Sequence, residues 1–479
     1  MNIRGLIICV TIGTVSVTAS AQSEGFRSFH NQMMNDYGKF RKRVLDDYAT
    51  FLAGIWKEFE TFKGESKYNT PKPQLPPIDD NTSKDNPVKL NPVVPDNYPK
   101  NDVPVIKPIP AIKPIVPAID DVIVDFYGIK VKVPRMEISP LNSLKPDDIA
   151  NAWKDMQKRN IVDNVIPRIQ QVTLAYGLND WLTLTFVRRY AAKVAPERNS
   201  RMLLAQFLIA NMGYNVRIAK TDRQLLLAVS IQQKVYHRSY IILGKEKYYL
   251  FDDDIEPIDE SNGRSIYTCE LPQDAELGKS FDMVIRDMKV DTGSSHTFSI
   301  SANGIQISGT VGETVMKILD DYPCIDIPNV AESNVLPTLR KDIINQIKSF
   351  IEDKNEVDAV RAILHFVQRG FKYATDEEQH GREKHYYVEE NLYYPKNDCE
   401  DRAVFFAYIV HVLLGLDVHL LHYPGHECTA VRFNVKVEGD SYVYNNGTYT
   451  ICDPTYIGAD IGRCMPKYRQ TQPKIEMWY

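Results

Sequence analysis

Asn397-Asp398-Cys399-Glu400-Asp401-Arg402-Ala403, Tyr423-Pro424-Gly425-His426-Glu427-Cys428-Thr429-Ala430-Val431 and Tyr449-Thr450-Ile451-Cys452-Asp453-Pro454-Thr455-Tyr456 are three pieces of one stretch that decides how this chain reads. Residues 400–414 have almost no polar face (Ala403, Val404, Phe405, Phe406, Ala407, Ile409, Val410, Leu413, Leu414), which predicts a buried helix stopped by Gly415. Cys399 then falls at the helix N-terminus, where unpaired N–H groups and the helix dipole favour a thiolate. His426 opens a run of strand formers (Thr429, Ala430, Val431, Phe433, Val435, Val437), and Asp453 closes a second strand entered through an Asn446-Gly447 turn. Neighbouring antiparallel strands would set His426 and Asp453 side by side, facing the thiol. Single residues of these kinds are usually structural: a thiol is mostly a small buried hydrophobe, and Asp-Pro a turn starter. All three at matching edges of predicted elements point instead to a Cys-His-Asp unit.

The order of these residues resembles the transglutaminase-like superfamily, relatives of the papain-type cysteine enzymes. Asp398-Cys399-Glu400-Asp401-Arg402-Ala403 looks most like the bacterial transglutaminase-like cysteine proteinases, and the likeness covers roughly residues 336–466. The family often follows its His with Ala and Trp, whereas Glu427 and Cys428 follow here. The resemblance implies an α+β fold with a helix packed on an antiparallel sheet, and catalysis by Cys399, His426 and Asp453. It also implies a role for Asp398 and Glu400 in holding calcium; as plain residues they favour a helix N-terminus. No other cofactor is expected.

A free thiol is only about 3% ionised at pH 7, and a helix start with an imidazolium brings its pKa into the range of about 3.5–7.5. Cys399 would then attack a carbonyl carbon, His426 would protonate the leaving amine, and Asp453 would orient the imidazole. The Cys399 N–H is one oxyanion donor; the second falls to the polar, aromatic segment 371–395 (Tyr386, Tyr387, Tyr393, Tyr394), where the amide of Gln379 suits the role. Water as acceptor makes a peptidase or amidase acting on a peptide or protein, the preferred expectation. A lysine amine as acceptor makes a cross-linking transglutaminase. No turnover leaves a cell-envelope protein that binds peptide or glycan.

Outward from this stretch, residues 336–370 carry two helical patterns, and residues 336–479 form the expected catalytic domain. Residues 263–335 read as a β-rich connector with a hairpin at Asn303-Gly304. Residues 119–262 echo the C-terminal part. Shifted by 202, Ala205, Gly213, Val216, Ala228 and Val229 fall on Ala407, Gly415, Val418, Ala430 and Val431, and shifted by 201, Asp252 falls on Asp453. Phe186-Val187-Arg188-Arg189 likewise resembles Phe366-Val367-Gln368-Arg369. Glu197 and Gln224 then stand for Cys399 and His426, a degenerate copy unable to form a thiolate–imidazole pair.

Thirteen prolines between Pro71 and Pro117 predict an extended linker over 67–118, either a spacer or a chain lying in a groove of the body. Over 22–66 an eleven-residue repeat aligns Phe26, Tyr37, Tyr48 and Phe59, with Phe29, Phe40, Phe51 and Phe62 beside them, along one face of a long helix. That stripe packs on its own body, associates with a second copy, or docks on a partner or the envelope. Residues 1–21 read as a signal peptide, with Arg4, an apolar run from Leu6 and Ala19-Ser20-Ala21, so a secreted or periplasmic location is expected. A net charge of −5 with mixed signs argues against nucleic acid, and no later apolar run is long enough to span a membrane. The six remaining cysteines are too sparse for a disulfide scaffold, and strand alternation puts Cys428 and Cys452 on opposite faces.

Overall fold

The computed structural model describes residues 47–80, 86–94, 121–159, 161–195, 197–252, 265–271, 278–286, 288–290 and 293–478. The expected signal peptide, the first half of the stripe helix and linker residues 95–118 lie outside these described residues. The chain is mixed α+β, built on a six-stranded and a five-stranded antiparallel sheet.

Residues 47–53 are helical, but the stripe helix does not run on to residue 62 as its repeat predicts. Past Gly54 the chain extends into β1 (Trp56–Phe59), because its backbone finds a strand partner there. The described part of the stripe packs inward: Tyr48 is fully buried with its ring 4.8 Å from Trp153, and Phe62 stacks on Tyr240. A hairpin of β2 (Asp121–Phe126) and β3 (Ile129–Pro134) leads to α1 (Pro146–Lys158), α2 (Ile161–Tyr176), α3 (Asp180–Val194) and α4 (Arg198–Asn211). Then come β4 (Val216–Lys220), β5 (Leu225–Ser230), β6 (Tyr240–Leu243), β7 (Glu246–Phe251) and β8 (Ile266–Cys269). The sheet order is β1-β8-β4-β5-β7-β6, so strands from both sides of residues 119–262 complete this sheet.

A second hairpin, β9 (Ser295–Ala302) and β10 (Ile305–Gly312), turns at Asn303 and Gly304, both at positive φ. The expected β-rich connector then becomes helical, as α5 (Glu313–Asp320) and α6 (Ile327–Glu332), whose apolar residues face the core. Two longer helices follow, α7 (Pro337–Ile351) and α8 (Glu356–Gly370), then the short β11 (Lys372–Tyr373), α9 (Asp376–His380), α10 (Val388–Tyr393) and β12 (Lys396–Asn397). The buried helix is α11 (Cys399–Leu414), capped by Gly415 at φ 64 with its N–H on His411 O. It is apolar all round because α8 covers one side and the second sheet the other.

That sheet holds β13 (Asp417–Tyr423), β14 (His426–Arg432), β15 (Ser441–Tyr444), β16 (Gly447–Cys452) and β17 (Lys474–Trp478), ordered β17-β13-β14-β16-β15. The turn into β16 is Asn445-Asn446, one residue earlier than expected, with Gly447 already paired to Tyr444. This order repeats β8-β4-β5-β7-β6 of the first sheet. The registers repeat too: Val216 pairs Val229 as Val418 pairs Val431, and Ala228 pairs Leu250 as Ala430 pairs Ile451. Arg188 on α3 donates to Asp252 O, just as Gln368 on α8 donates to Asp453 O. Residues next to the aligned positions make contacts: Arg198, beside Glu197, pairs with Asp252, and the Leu225 N–H after Gln224 donates to Asn199.

Arg340 on α7 forks onto both oxygens of Glu389 on α10 (2.6 and 2.9 Å), a buried pair that seats the segment preceding α11. Arg340→Ala strands the Glu389 carboxylate and should cost about 3–5 kcal/mol in urea unfolding, whereas replacing both residues by Met should cost clearly less.

Candidate active site

His426 opens β14, paired with Tyr423 of β13, and Asp453 follows Cys452 at the end of β16, where strand alternation turns both side chains to one face. His426 Nε2 donates to Asp453 Oδ2 at 2.9 Å. The other Asp453 oxygen accepts from the N–H groups of Thr455 (2.9 Å) and Tyr456 (3.1 Å), so the carboxylate is fixed from behind. Gln368 adds a 3.0 Å bond to the Asp453 carbonyl. Tyr468 stacks on the imidazole at 5.3 Å and 4° and donates to Pro424 O (3.1 Å). With Nε2 committed to Asp453, His426 Nδ1 is buried and has no hydrogen-bond partner.

Cys399 opens α11 as expected, and burial followed by the nearby Cys399 and Asp453 pushes the Tyr468 phenol up, so thiol and carboxylate share one neighbourhood. The thiol's hydrogen bond, however, goes to Glu400 Oε2 (3.2 Å) and not to His426. Its expected ionisation is also reversed. Complete burial, then the Glu400 and Asp398 carboxylates, push the Cys399 thiol well above its ordinary value. Cys428 and Cys452 are unbridged and lie in separate cores on opposite faces of the sheet.

The Gln379 amide, expected as the second oxyanion donor, is engaged with Tyr386 and with Lys396 O (3.4 Å). Tyr373 on β11 has a buried hydroxyl without a partner, and burial, then the charge on a Cys399 thiolate, push its pKa up. The sequence signal for it is slight, one aromatic at the start of the polar, aromatic segment 371–395. Arg402 braces that start, donating to Asn397 Oδ1 (2.8 Å) and Phe371 O (3.0 Å).

The feature that sequence reading left open is the linker. Residues 66–80 cross the site. A Cβ on Gly425, next to His426, would stand 2.8 Å from Pro71 O and 3.0 Å from Thr70 O. Tyr68 Oη donates to Glu400 (3.3 Å), and Lys72 Nζ reaches Asp398 (2.9 Å), Asp376 (3.1 Å), Glu383 (3.2 Å) and Glu400. Lys67 pairs with Glu476 and lies 3.8 Å from Glu427, while Asp79 pairs with Arg463 (3.1 Å). Farther on, Val88 N–H donates to Asp440 (2.7 Å), and Leu90 and Val93 donate to Ser441 O and Pro473 O (both 2.8 Å). Leu75 and Ile78 are 78% and 73% exposed, so ion pairs and backbone bonds, rather than apolar burial, hold residues 66–80. Under this cover Cys399 and His426 are 0% exposed and Asp453 2%.

Lys72 keeps its proton against burial because Asp398 and Glu400 face it. Glu400 is likewise buried, yet Lys72 holds it well below the ordinary carboxylate range. Burial pushes Asp398 up strongly and Asp376 up to about 6. Carboxylate oxygens of Asp376, Asp398 and Asp401 lie within 4.8 Å of one another, a donor set that suits a hard cation such as calcium. The cation among them here is the Lys72 ammonium, which bonds two of the three. Among the described residues, no helix is long and apolar enough to cross a membrane. No protein-family model matches the chain, and no curated protein matches it in sequence.

In the intact chain, alkylation of Cys399 by iodoacetamide should stay slow through neutral pH and rise only above the ordinary thiol value of about 8.5. Mass mapping of the labelled peptide across pH 6–10 checks this, and a midpoint below 8 would contradict it.

Proposed function

We propose that this protein is an exported cysteine hydrolase of the transglutaminase-like kind, cleaving a peptide or amide bond through an acyl-enzyme on Cys399. The observation that carries the reading is the His426–Asp453 bond, which leaves a buried, partnerless Nδ1 in the neighbourhood of a helix-terminal thiol. In the reaction the thiol turns from Glu400 to His426 Nδ1 and passes its proton there. Cys399 Sγ attacks the carbonyl carbon, and the oxyanion is met by the Cys399 N–H and the Tyr373 hydroxyl. His426 returns the proton to the amine as the C–N bond breaks, then deprotonates water, which releases the acid and restores the thiol. The repeated strand order and registers support reading the first half as a degenerate copy of the same fold. Calcium, where it binds, would be held by Asp398 and Glu400 in competition with Lys72, supplying positive charge beside the thiol.

A second reading, a non-catalytic binding protein on this fold, is favoured by the bond that holds Cys399 to Glu400 as a neutral thiol. Labelling with thiol-reactive peptide probes, with turnover of peptide and amide substrates measured alongside, separates the two. Cys399→Ala should remove nearly all turnover, about 10⁴–10⁶-fold, and Asp453→Asn should cost less. Retained turnover in Cys399→Ala overturns the hydrolase reading, and so does failure of every probe to acylate Cys399.

Tyr373→Phe should lower kcat by about 10²–10³-fold with little change in KM, as expected for a donor used mainly in the transition state. An unchanged kcat would remove Tyr373 from the oxyanion site.

A further inference from the structure

Lys72 comes from a segment more than three hundred residues away in sequence, yet its ammonium is surrounded by four carboxylates at the mouth of α11. Two of them, Asp398 and Glu400, flank Cys399 directly, and Glu400 accepts the thiol's own hydrogen bond. A fully buried oxygen of this cage, Asp398 Oδ1, still lacks a partner. Thr70 and Pro71, just before Lys72, pass close over Gly425, so the linker runs between the two sides of the Cys399–His426 centre as a bound chain would. Its grip is polar, and its apolar side chains Leu75 and Ile78 face outward. A segment held this way can be exchanged for another chain that presents the same charge.

We propose that Asp376, Glu383, Asp398 and Glu400 form a cation subsite of the Cys399 centre, that residues 66–80 fill it in the resting protein, and that the substrate which displaces them presents a primary ammonium group there. This rests on the acyl-transfer reading of Cys399 for the word substrate, but not for the subsite itself. The linker is then a built-in occupant that keeps the thiol covered. The chemical class of its competitor is a lysine-bearing polypeptide, or another chain with a terminal amine at that distance from its scissile bond.

The test uses the full-length chain and three methanethiosulfonates of similar reach: aminoethyl (cationic), sulfonatoethyl (anionic) and methyl (neutral). Rates of modification at Cys399 are read by mass spectrometry, each normalised to the reagent's rate with mercaptoethanol. Wild type should react slowly with all three. Lys72→Met, which keeps the side chain's length without its charge, should react much faster, with the cationic reagent favoured at least about tenfold over the neutral one and the anionic reagent slowest. Gly425→Asn keeps every carboxylate and Lys72 but pushes against Thr70 and Pro71, and Asn tolerates the positive φ. It should open the site with the same charge order, while Asp376→Asn combined with Lys72→Met should weaken the preference severalfold. Circular dichroism confirms that each variant is folded.

Equal normalised rates in the opened variants would overturn the subsite, and so would a wild type as reactive as Lys72→Met. Calcium that opens the wild type, with no charge preference among the reagents, would mean a metal site instead. Thiol modification requires no acyl transfer, so a lack of turnover would sink the hydrolase reading alone. Turnover without charge preference would sink the subsite alone.

Discussion

An ammonium group taken out of water keeps its charge only where anions replace the solvent, and Lys72 shows what that demands of its surroundings. Asp376 and Glu383 come from the segment after β11, Asp398 and Glu400 from the start of α11, and the cation from the linker. Four carboxylates this close would repel one another if no cation stood among them. The Lys72 contact therefore holds together both walls of the site as well as the cover across it. Arg402 and the Arg340–Glu389 pair brace the same region from behind with charges that are themselves buried and hydrogen-bonded.

The state of Cys399 follows from two opposing fields. A helix N-terminus offers an anion about 0.3–1 kcal/mol, and up to about 2 in favourable buried geometry. A carboxylate charge at about 4 Å costs roughly 4 kcal/mol at an effective dielectric near 20. Complete burial raises the thiol first, and Glu400, closer still at 3.2 Å from the sulfur, adds a repulsion that outweighs the dipole. The placement of Cys399 was thus legible, and the sign of its shift was not. The causes are the burial that the rest of the chain imposes and then the flanking Asp398 and Glu400, which read equally well as helix-start residues.

What the sequence shows well here is local. The apolar run ended by Gly415, the Asn303-Gly304 hairpin and the facing of His426 and Asp453 each depend on a few neighbouring residues. The eleven-residue stripe was also a local pattern, but a strand partner distant in the chain overrode it beyond Gly54. Tyr373, Tyr468 and Lys72 acquire their roles only through contacts far apart in sequence. A proline-rich segment signals extended backbone that can span or lie in a groove, but not which groove, so the cover on this site shows only once Lys72 and its four carboxylates stand together.

The two halves separate what the scaffold needs from what chemistry would need. Both tie the carbonyl of the strand-end aspartate to a helix earlier in the chain, through Arg188 in one and Gln368 in the other. Both start a buried helix against that strand end. In the first half Arg198 pairs directly with Asp252 at 2.9 Å, joining helix start to strand end by one ion pair. In the second half Asp453 instead spends its oxygens on His426 and on two backbone N–H groups, and leaves an imidazole nitrogen with nothing to bond. A fold that needed only stability had the simpler solution available and uses it once. The second half forgoes it, leaves a buried donor–acceptor unsatisfied, and lays its own linker over the result.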